Sequence, residues 1–399
     1  MKTTRTAGIE DLLASDTFCP DPWTELSTWV DGRWSVCCNA RPFDYGITDR
    51  LPTAHYNGPE MRALRSAMLA GDKEALGTTC GKCHGKEALG ARSRRLNQIE
   101  VFRQRRGHVE RLGELVAATA HDGTVAPAFL SRIDIKVYGN FCNLRCYMCY
   151  PACSSSIGLE RKRQGELPAS QPHLSVPIDA LRGADRERFV DDLLVLIERA
   201  QEIYFSGGEP LINRFHYDLL DAIAARGLGD RLRLTYNSNM TKLPVVRGRS
   251  VHDYFAAFRR VHIGVSTDGV GLRNDYIRYG SSWPRLLENL RALRERSPHV
   301  TVSMNTTVSI LSVLDIVELH REITGRIGLP HRHTNVLMTP THLRAYHLPD
   351  PLKERIADEL ATAPPALRHI LDFLGQDRDE AEFQRFAGYL RGLDRARGT

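Results

Sequence analysis

The sequence predicts an α/β fold, a partial (β/α)6 TIM-like barrel with a small Cys-rich domain before it and a C-terminal helical tail after it. Three observations carry this prediction. Short β-branched and aromatic stretches alternate six times with amphipathic ones between about residues 131 and 345, the pattern of a parallel sheet with right-handed crossovers. All nine cysteines fall at positions 19, 37, 38, 80, 83, 142, 146, 149 and 153; structural core cysteines would scatter along a chain, whereas metal ligands must converge. Residues 350–399 show helical patterning without strand signals.

The elements follow in order. Residues 1–92 are rich in Cys, Trp, Gly and Pro and weak in periodicity, which reads as a small domain whose thin apolar content calls for a metal staple. Residues 93–130 read as a helical linker, with Leu96, Ile99, Phe102, Val109, Leu112 and Leu115 at helical spacing and arginines on a solvated face. Residues 131–345 form the barrel, with strands expected at 131–139, 202–208, 231–239, 260–269, 300–308 and 332–339. Helices are expected between them, for example at 186–200, 215–227, 282–296 and 313–324. Six units make an open barrel rather than the closed eight-stranded form, and sites in such folds lie at the C-terminal ends of the strands. Residues 346–399 are the helical tail.

Bulk properties narrow the class. No apolar run reaches the roughly 18 residues of a membrane span, and the first twenty residues lack the apolar core of a secretory signal. The expectation is a cytoplasmic protein without a membrane partner, in a compartment where disulfides are rare. The formal net charge of +6 is too mild to specify a nucleic-acid partner.

After the first barrel strand the chain reads Phe141-Cys142-Asn143-Leu144-Arg145-Cys146-Tyr147-Met148-Cys149. Three thiolates at this spacing can hold three corners of a [4Fe–4S] cluster and leave one iron open. Zinc is the alternative, with Cys153 as fourth ligand. The second strand ends in Ser206-Gly207-Gly208-Glu209-Pro210. With CX3CX2C after strand one and GGEP after strand two, the chain resembles the radical S-adenosylmethionine (SAM) superfamily. The resemblance implies that SAM chelates the open iron of a cluster held by Cys142, Cys146 and Cys149. It also implies reductive cleavage to a 5′-deoxyadenosyl radical, and electron supply by a flavodoxin- or ferredoxin-type donor. Gly207, Gly208, Glu209 and Pro210 would form the SAM-binding turn, with Glu209 receiving the SAM amino group. Ser266, Asp268 and Asn305 are candidates for the ribose, and Arg278 for the SAM carboxylate, which its bidentate donors suit. No GxIxGxxE pattern appears near strand five, so adenine recognition has no assigned residue.

The N-terminal cysteines make a second set: Cys19, then Pro22-Trp23, Gly32, Cys37-Cys38, and Cys80-Gly81-Lys82-Cys83-His84. The last segment matches the haem c attachment pattern, which requires export. Zinc held by Cys19, Cys37, Cys80 and Cys83 is a second alternative. The arrangement resembles the twitch domain, the shortened relative of the SPASM extension, placed here before the barrel. That resemblance implies an auxiliary [4Fe–4S] cluster on the same four cysteines and leaves Cys38 and Cys153 over. Cys153, near the SAM site, is a candidate hydrogen-atom donor.

The function expected is hydrogen abstraction followed by oxidation (dehydrogenation) of a small polar or sugar-like natural-product substrate, with the auxiliary cluster as electron conduit. The alternatives are an epimerase using a Cys hydrogen donor and a peptide- or protein-modifying enzyme. A further alternative is RNA methylation or methylthiolation. A non-catalytic zinc or nucleic-acid-binding protein is the competing class. Tyr236, Asn237, Asn239, Thr307, His333 and Asn335 are weaker candidates for orienting substrate.

Overall fold

The computed structural model describes residues 8–88 and 92–399. Residues 1–7, on which part of the secretory-signal expectation falls, and residues 89–91 lie outside them.

Among the described residues there are ten strands: β1 (Glu25–Thr28), β2 (Trp34–Ser35), β3 (Arg132–Ile135), β4 (Glu202–Phe205), β5 (Arg233–Ser238), β6 (Val245–Val246), β7 (Arg249–Ser250), β8 (Arg260–Ser266), β9 (Val300–Val308) and β10 (His331–Val336). Eight form one sheet in the order β10-β9-β8-β5-β4-β3-β1-β2, and β6 and β7 make a separate hairpin. The six barrel strands β3, β4, β5, β8, β9 and β10 pair in parallel with their chain neighbours in space. Each overlaps a predicted strand. Their residues explain why: Ile133, Ile135, Ile203, Phe205, Leu234, Val261, Ile263 and Val265 are all buried, and such residues fit a sheet covered on both faces.

Helices cover the outer face. Ala184–Ile197, Arg214–Ala225 and Trp283–Arg296 lie where the sequence placed them. Phe205 stacks on Tyr236 at 4.9 Å, and His216 of the helix Arg214–Ala225 meets both rings edge-on. The Tyr236 hydroxyl lies 2.9 Å from His216 Nε2, so this side chain faces the helical layer and not the barrel interior.

The N-terminal segment contributes to the same sheet. β1 pairs in parallel with β3, through Leu26 and Ile133, and β2 adds an antiparallel edge. Because β1 is parallel to the barrel strands, the residues after it, Trp29-Val30-Asp31, emerge at the same rim as the cysteine loop after β3. The last helix, Glu380–Arg397, packs back onto that loop, as described below.

Candidate active site

The loop carrying Cys142, Cys146 and Cys149 leaves β3 at the rim and is stitched in place from three sides. The Arg145 and Tyr147 amides donate to the carbonyls of Tyr279 and Ile277, in the segment after β8, at 2.9 Å each. The Ser154 hydroxyl donates to the Leu144 carbonyl at 2.7 Å, and Ser156 to that of Cys142 at 2.7 Å. Asn239, after β5, donates through Nδ2 to Asn143 Oδ1 at 3.1 Å. The Leu144 amide points at Cys142 Sγ, 3.5 Å away. Burial pushes the Cys142 thiol up to about 12, with the Cys146 thiol adding to it; burial likewise raises Cys146 and Cys149. Neighbouring thiols raised in this way stay protonated unless a cation takes them as thiolates, which is the chemistry of a metal-cluster ligand set.

Gly207 and Gly208 have φ of +87° and +51°, a region glycine enters without steric cost. A Cβ on Gly208 would stand 2.4 Å from the Phe141 carbonyl oxygen, and one on Gly207 would stand 2.7 Å from Val30 Cγ1. The turn is thus pressed against the start of the cysteine loop, and the Glu209 amide donates to the Phe141 carbonyl at 2.8 Å. Glu209 is buried and its carboxylate already accepts from the Leu211 amide (3.1 Å), the Ser238 hydroxyl (2.8 Å) and the Asn239 amide (2.6 Å). A carboxylate offers about four lone-pair positions, so one remains for a ligand. Burial raises its pKa, against the pull of those donors. Pro210 begins the short 3₁₀ turn that Glu209 caps, where a missing N–H costs nothing.

Asp268 and Arg278 form a buried pair, Oδ2 to Nε 2.8 Å. The Thr307 amide donates to Asp268 Oδ1 at 2.8 Å, and Arg278 Nη1 reaches to 3.7 Å from Cys146 Sγ. Burial alone would lower the Arg278 pKa, but Asp268 and the Cys146, Cys142 and Cys149 sulfurs hold it above its ordinary value. Arg278 therefore reaches the cysteine triplet through Cys146. Ser266 ends β8 opposite Asn305 of β9. Asn305 Nδ2 lies 3.3 Å from Asn237 Oδ1, while its own buried Oδ1 has no donor. An acceptor without a donor in a half-buried place fits a ligand hydroxyl such as the SAM ribose supplies.

The second set of cysteines sits apart. Cys19, Cys37, Cys80 and Cys83 line one cavity with Arg94, Arg95 and Lys82. Arg94 is ion-paired with Asp21 and Glu25 beneath it. Burial drives Cys80 to about 12 and Cys19 and Cys37 well above their ordinary range. Cys38 turns away into a different cavity of about 430 Å³, which Cys153 also lines. Among the described residues, no three His, Cys, Asp or Glu side chains gather closely enough for a single metal ion.

Sequence reasoning missed the side chains of the last helix. The hydroxyls of Tyr147 and Tyr276 donate to Asp394 Oδ1 at 2.6 and 2.8 Å. Arg397 pairs with buried Glu160 through two bonds, of 3.0 and 2.7 Å, and lies over the rings of Tyr147 and Tyr279. No local motif marks Asp394 or Arg397, because their partners are more than a hundred residues away in sequence.

Among the described residues, no helix is long and apolar enough to cross a membrane. Residues 137–323 match the family model described as the Radical SAM superfamily. The search of curated proteins finds no match. Solved structures similar to the chain include native anSMEcpe with bound AdoMet, at 14% identity and TM-score 0.35, covering 52% of this chain and 51% of that one. Streptococcus suis SuiB bound to S-adenosylmethionine is similar at 13% identity and TM-score 0.35, over 87% of this chain and 70% of that one. SuiB bound to precursor peptide SuiA follows at 11% identity and TM-score 0.36, over 94% and 69%. The chain thus spans about half the length of the first of these structures. The matched segment, just under half of the chain, contains the cysteine triplet, the GGEP turn, Arg278 and Asn305, and it is this part of the chain that is similar to the radical SAM superfamily.

Proposed function

We propose that this protein cleaves SAM reductively and uses the resulting radical to oxidise a small polar or sugar-like substrate by two electrons. The observation that carries the reading is the division of seven cysteines into two sets, three around Arg278 at the barrel rim and four around a second cavity. A [4Fe–4S] cluster on Cys142, Cys146 and Cys149 would supply the electron that breaks the sulfonium bond of SAM. The residues present fit that group, since three thiols are held by fixed backbone and an arginine offsets their charge.

The chain's own residues then have definable tasks. Arg278, braced by Asp268, offers its remaining guanidinium donors to the SAM carboxylate. Glu209 keeps one lone pair for the SAM ammonium, and Asn305 Oδ1, with Ser266 opposite, receives ribose hydroxyls. The tight seating of Gly207 and Gly208 against Val30 and Phe141 keeps water from the reacting centre. Cys19, Cys37, Cys80 and Cys83 fit a second cluster, with Arg94, Arg95 and Lys82 to balance its negative charge. Four protein ligands leave no open iron, so that site serves electron removal from the substrate rather than substrate binding. The division into residues 1–92, 93–130, 131–345 and 346–399 belongs to this reading, as does a flavodoxin- or ferredoxin-type electron donor.

A second reading is favoured by one observation: Cys153 lines a cavity beside this site, so a hydrogen-donating thiol, and epimerisation, is the alternative outcome. Anaerobically reconstituted protein given dithionite and SAM is expected to release 5′-deoxyadenosine, and Cys142→Ala to abolish it. Equimolar zinc without iron or sulfide in the purified protein would sink the enzyme reading.

A further inference from the structure

Cys37 and Cys38 are consecutive, yet they open into different cavities. Cys37 faces the four-cysteine cavity, while Cys38 faces the cavity of about 430 Å³ that Trp29, Val30, Lys136, Tyr150 and Cys153 also line. This second cavity has two walls. One is the segment that follows β1, and the other is Tyr150–Cys153, the continuation of the cluster-bearing loop. It borders the GGEP turn directly, because a Cβ on Gly207 would strike one of its lining residues, Val30 at 2.7 Å, and touch another, Lys136, at 3.5 Å. The cavity is therefore one residue from each cysteine set: next to Cys37 on one wall, and next to Cys149 on the other.

The charges around it are already spoken for. Asp31 is paired with Arg33 at 2.8 Å, and Lys136 with Asp134 at 2.6 Å. What remains on the walls is the apolar surface of Trp29, Val30, Tyr150 and Pro151 and the uncharged side-chain amide of Gln171. Sites of a few hundred cubic ångströms with apolar walls and a few polar groups are typical of small-molecule binding. Internally paired charges disfavour a strongly ionic occupant, whereas a neutral amide on the wall suits hydroxyl or amide groups.

We propose that this cavity is the substrate site, that it takes a compact uncharged molecule bearing hydroxyl or amide oxygens and one flat apolar face, and that both unassigned thiols, Cys38 and Cys153, stand within reach of the radical generated beside it. This rests on the SAM-cleaving reading above. With no substrate present, the 5′-deoxyadenosyl radical then takes its hydrogen atom from a cavity thiol. The S–H bond breaks, a C–H bond forms at C5′, and the sulfur radical left behind is reduced to thiolate by the dithionite of the assay.

The test uses the reconstituted full chain in D2O, where thiols carry deuterium. Mass spectrometry is expected to find one deuterium in the 5′-deoxyadenosine, and the deuterated fraction per molecule released should fall to background in the double variant Cys38→Ala, Cys153→Ala. Undeuterated 5′-deoxyadenosine from the wild type, or an unchanged fraction in the variant, would overturn the proposal while leaving SAM cleavage standing. Absence of 5′-deoxyadenosine altogether would sink the SAM-cleaving reading itself. A second arm needs no turnover: Cys38 of the cluster-loaded protein is alkylated with neutral iodoacetamide or anionic iodoacetate, each rate divided by its rate on glutathione. The normalised rate should be higher for iodoacetamide; preference for iodoacetate would make the cavity an anion site and overturn the ligand class.

Discussion

Glycine 208 shows how much a single position can demand. Its φ of +51° and the carbonyl oxygen of Phe141, 2.4 Å from where a Cβ would be, both exclude a side chain, and the obstructing atom is backbone that cannot swing aside. Gly71 has a similar φ of +71° but open space around it. Gly208→Ala is therefore expected to cost about 2–4 kcal/mol and Gly71→Ala about 1 kcal/mol, read from urea unfolding of the two variants. Arg278 makes the corresponding electrostatic demand. It meets Asp268 and reaches toward Cys146 Sγ through separate edges of one planar group, and in the proposed role its remaining donors take the SAM carboxylate, an arrangement a lysine cannot copy. Arg278→Lys should weaken SAM binding by about tenfold or more, equivalent to about 1.4 kcal/mol, by equilibrium dialysis with the cluster-loaded protein. Of the residue-scale features, the cysteine triplet and the GGEP turn were legible in sequence because each is a local pattern. The pairing of Arg278 with Asp268 was not, since nine residues separate them and only the short helix Leu272–Ile277 after β8 brings the chain back.

At the scale of elements, the helix Glu380–Arg397 acts as a clamp on the loop that carries Cys142, Cys146 and Cys149. Asp394 collects two tyrosine hydroxyls, one from each of the two segments that meet at Cys146, and the Tyr389 hydroxyl donates to the Tyr147 carbonyl at 2.8 Å. Asp394→Leu removes the oxygen that both hydroxyls share and leaves the two to be satisfied elsewhere, a loss of about 1–3 kcal/mol. Asp394→Asn keeps an acceptor oxygen and should stay near wild type. Urea unfolding is expected to separate the two variants, and the 400 nm absorbance of the bound cluster should bleach faster in air for Asp394→Leu. Equal behaviour of both variants would show that the helix only covers the loop. The six barrel strands and the main covering helices were readable from periodicity, whereas β1 was not: Glu-Leu-Ser-Thr is short, has one apolar residue, and becomes a strand only because β3 offers it an edge.

For the whole molecule, buried histidines set a pH limit. Burial lowers the pKa of His55 and of His216 to about 3, below the 6.5 of an unfolded chain. As pH falls the unfolded state takes up protons first, so the stability these residues contribute is complete above about 6.5 and is lost progressively toward 3. Each makes unfolding easier by up to about 1.4 kcal/mol per pH unit in that window. His216→Gln should lower stability at pH 7, where the Tyr236 hydroxyl loses its partner, yet flatten the decline between pH 6.5 and 4. Urea midpoints across that range, wild type against variant, check it; parallel curves would remove His216 as a source.

Sequence by itself determined the alternation of strand and helix, the rim position of the cysteine triplet and of GGEP, and the existence of two cysteine sets. These are patterns of spacing, and periods of two and 3.6 residues are written in neighbouring side chains. Tertiary structure alone decided that β1 extends the barrel sheet, that Asp394 and Arg397 hold the cluster loop, and that the consecutive Cys37 and Cys38 open into separate cavities. Those outcomes depend on which surfaces more than a hundred residues apart are packed together, and no local period encodes that choice.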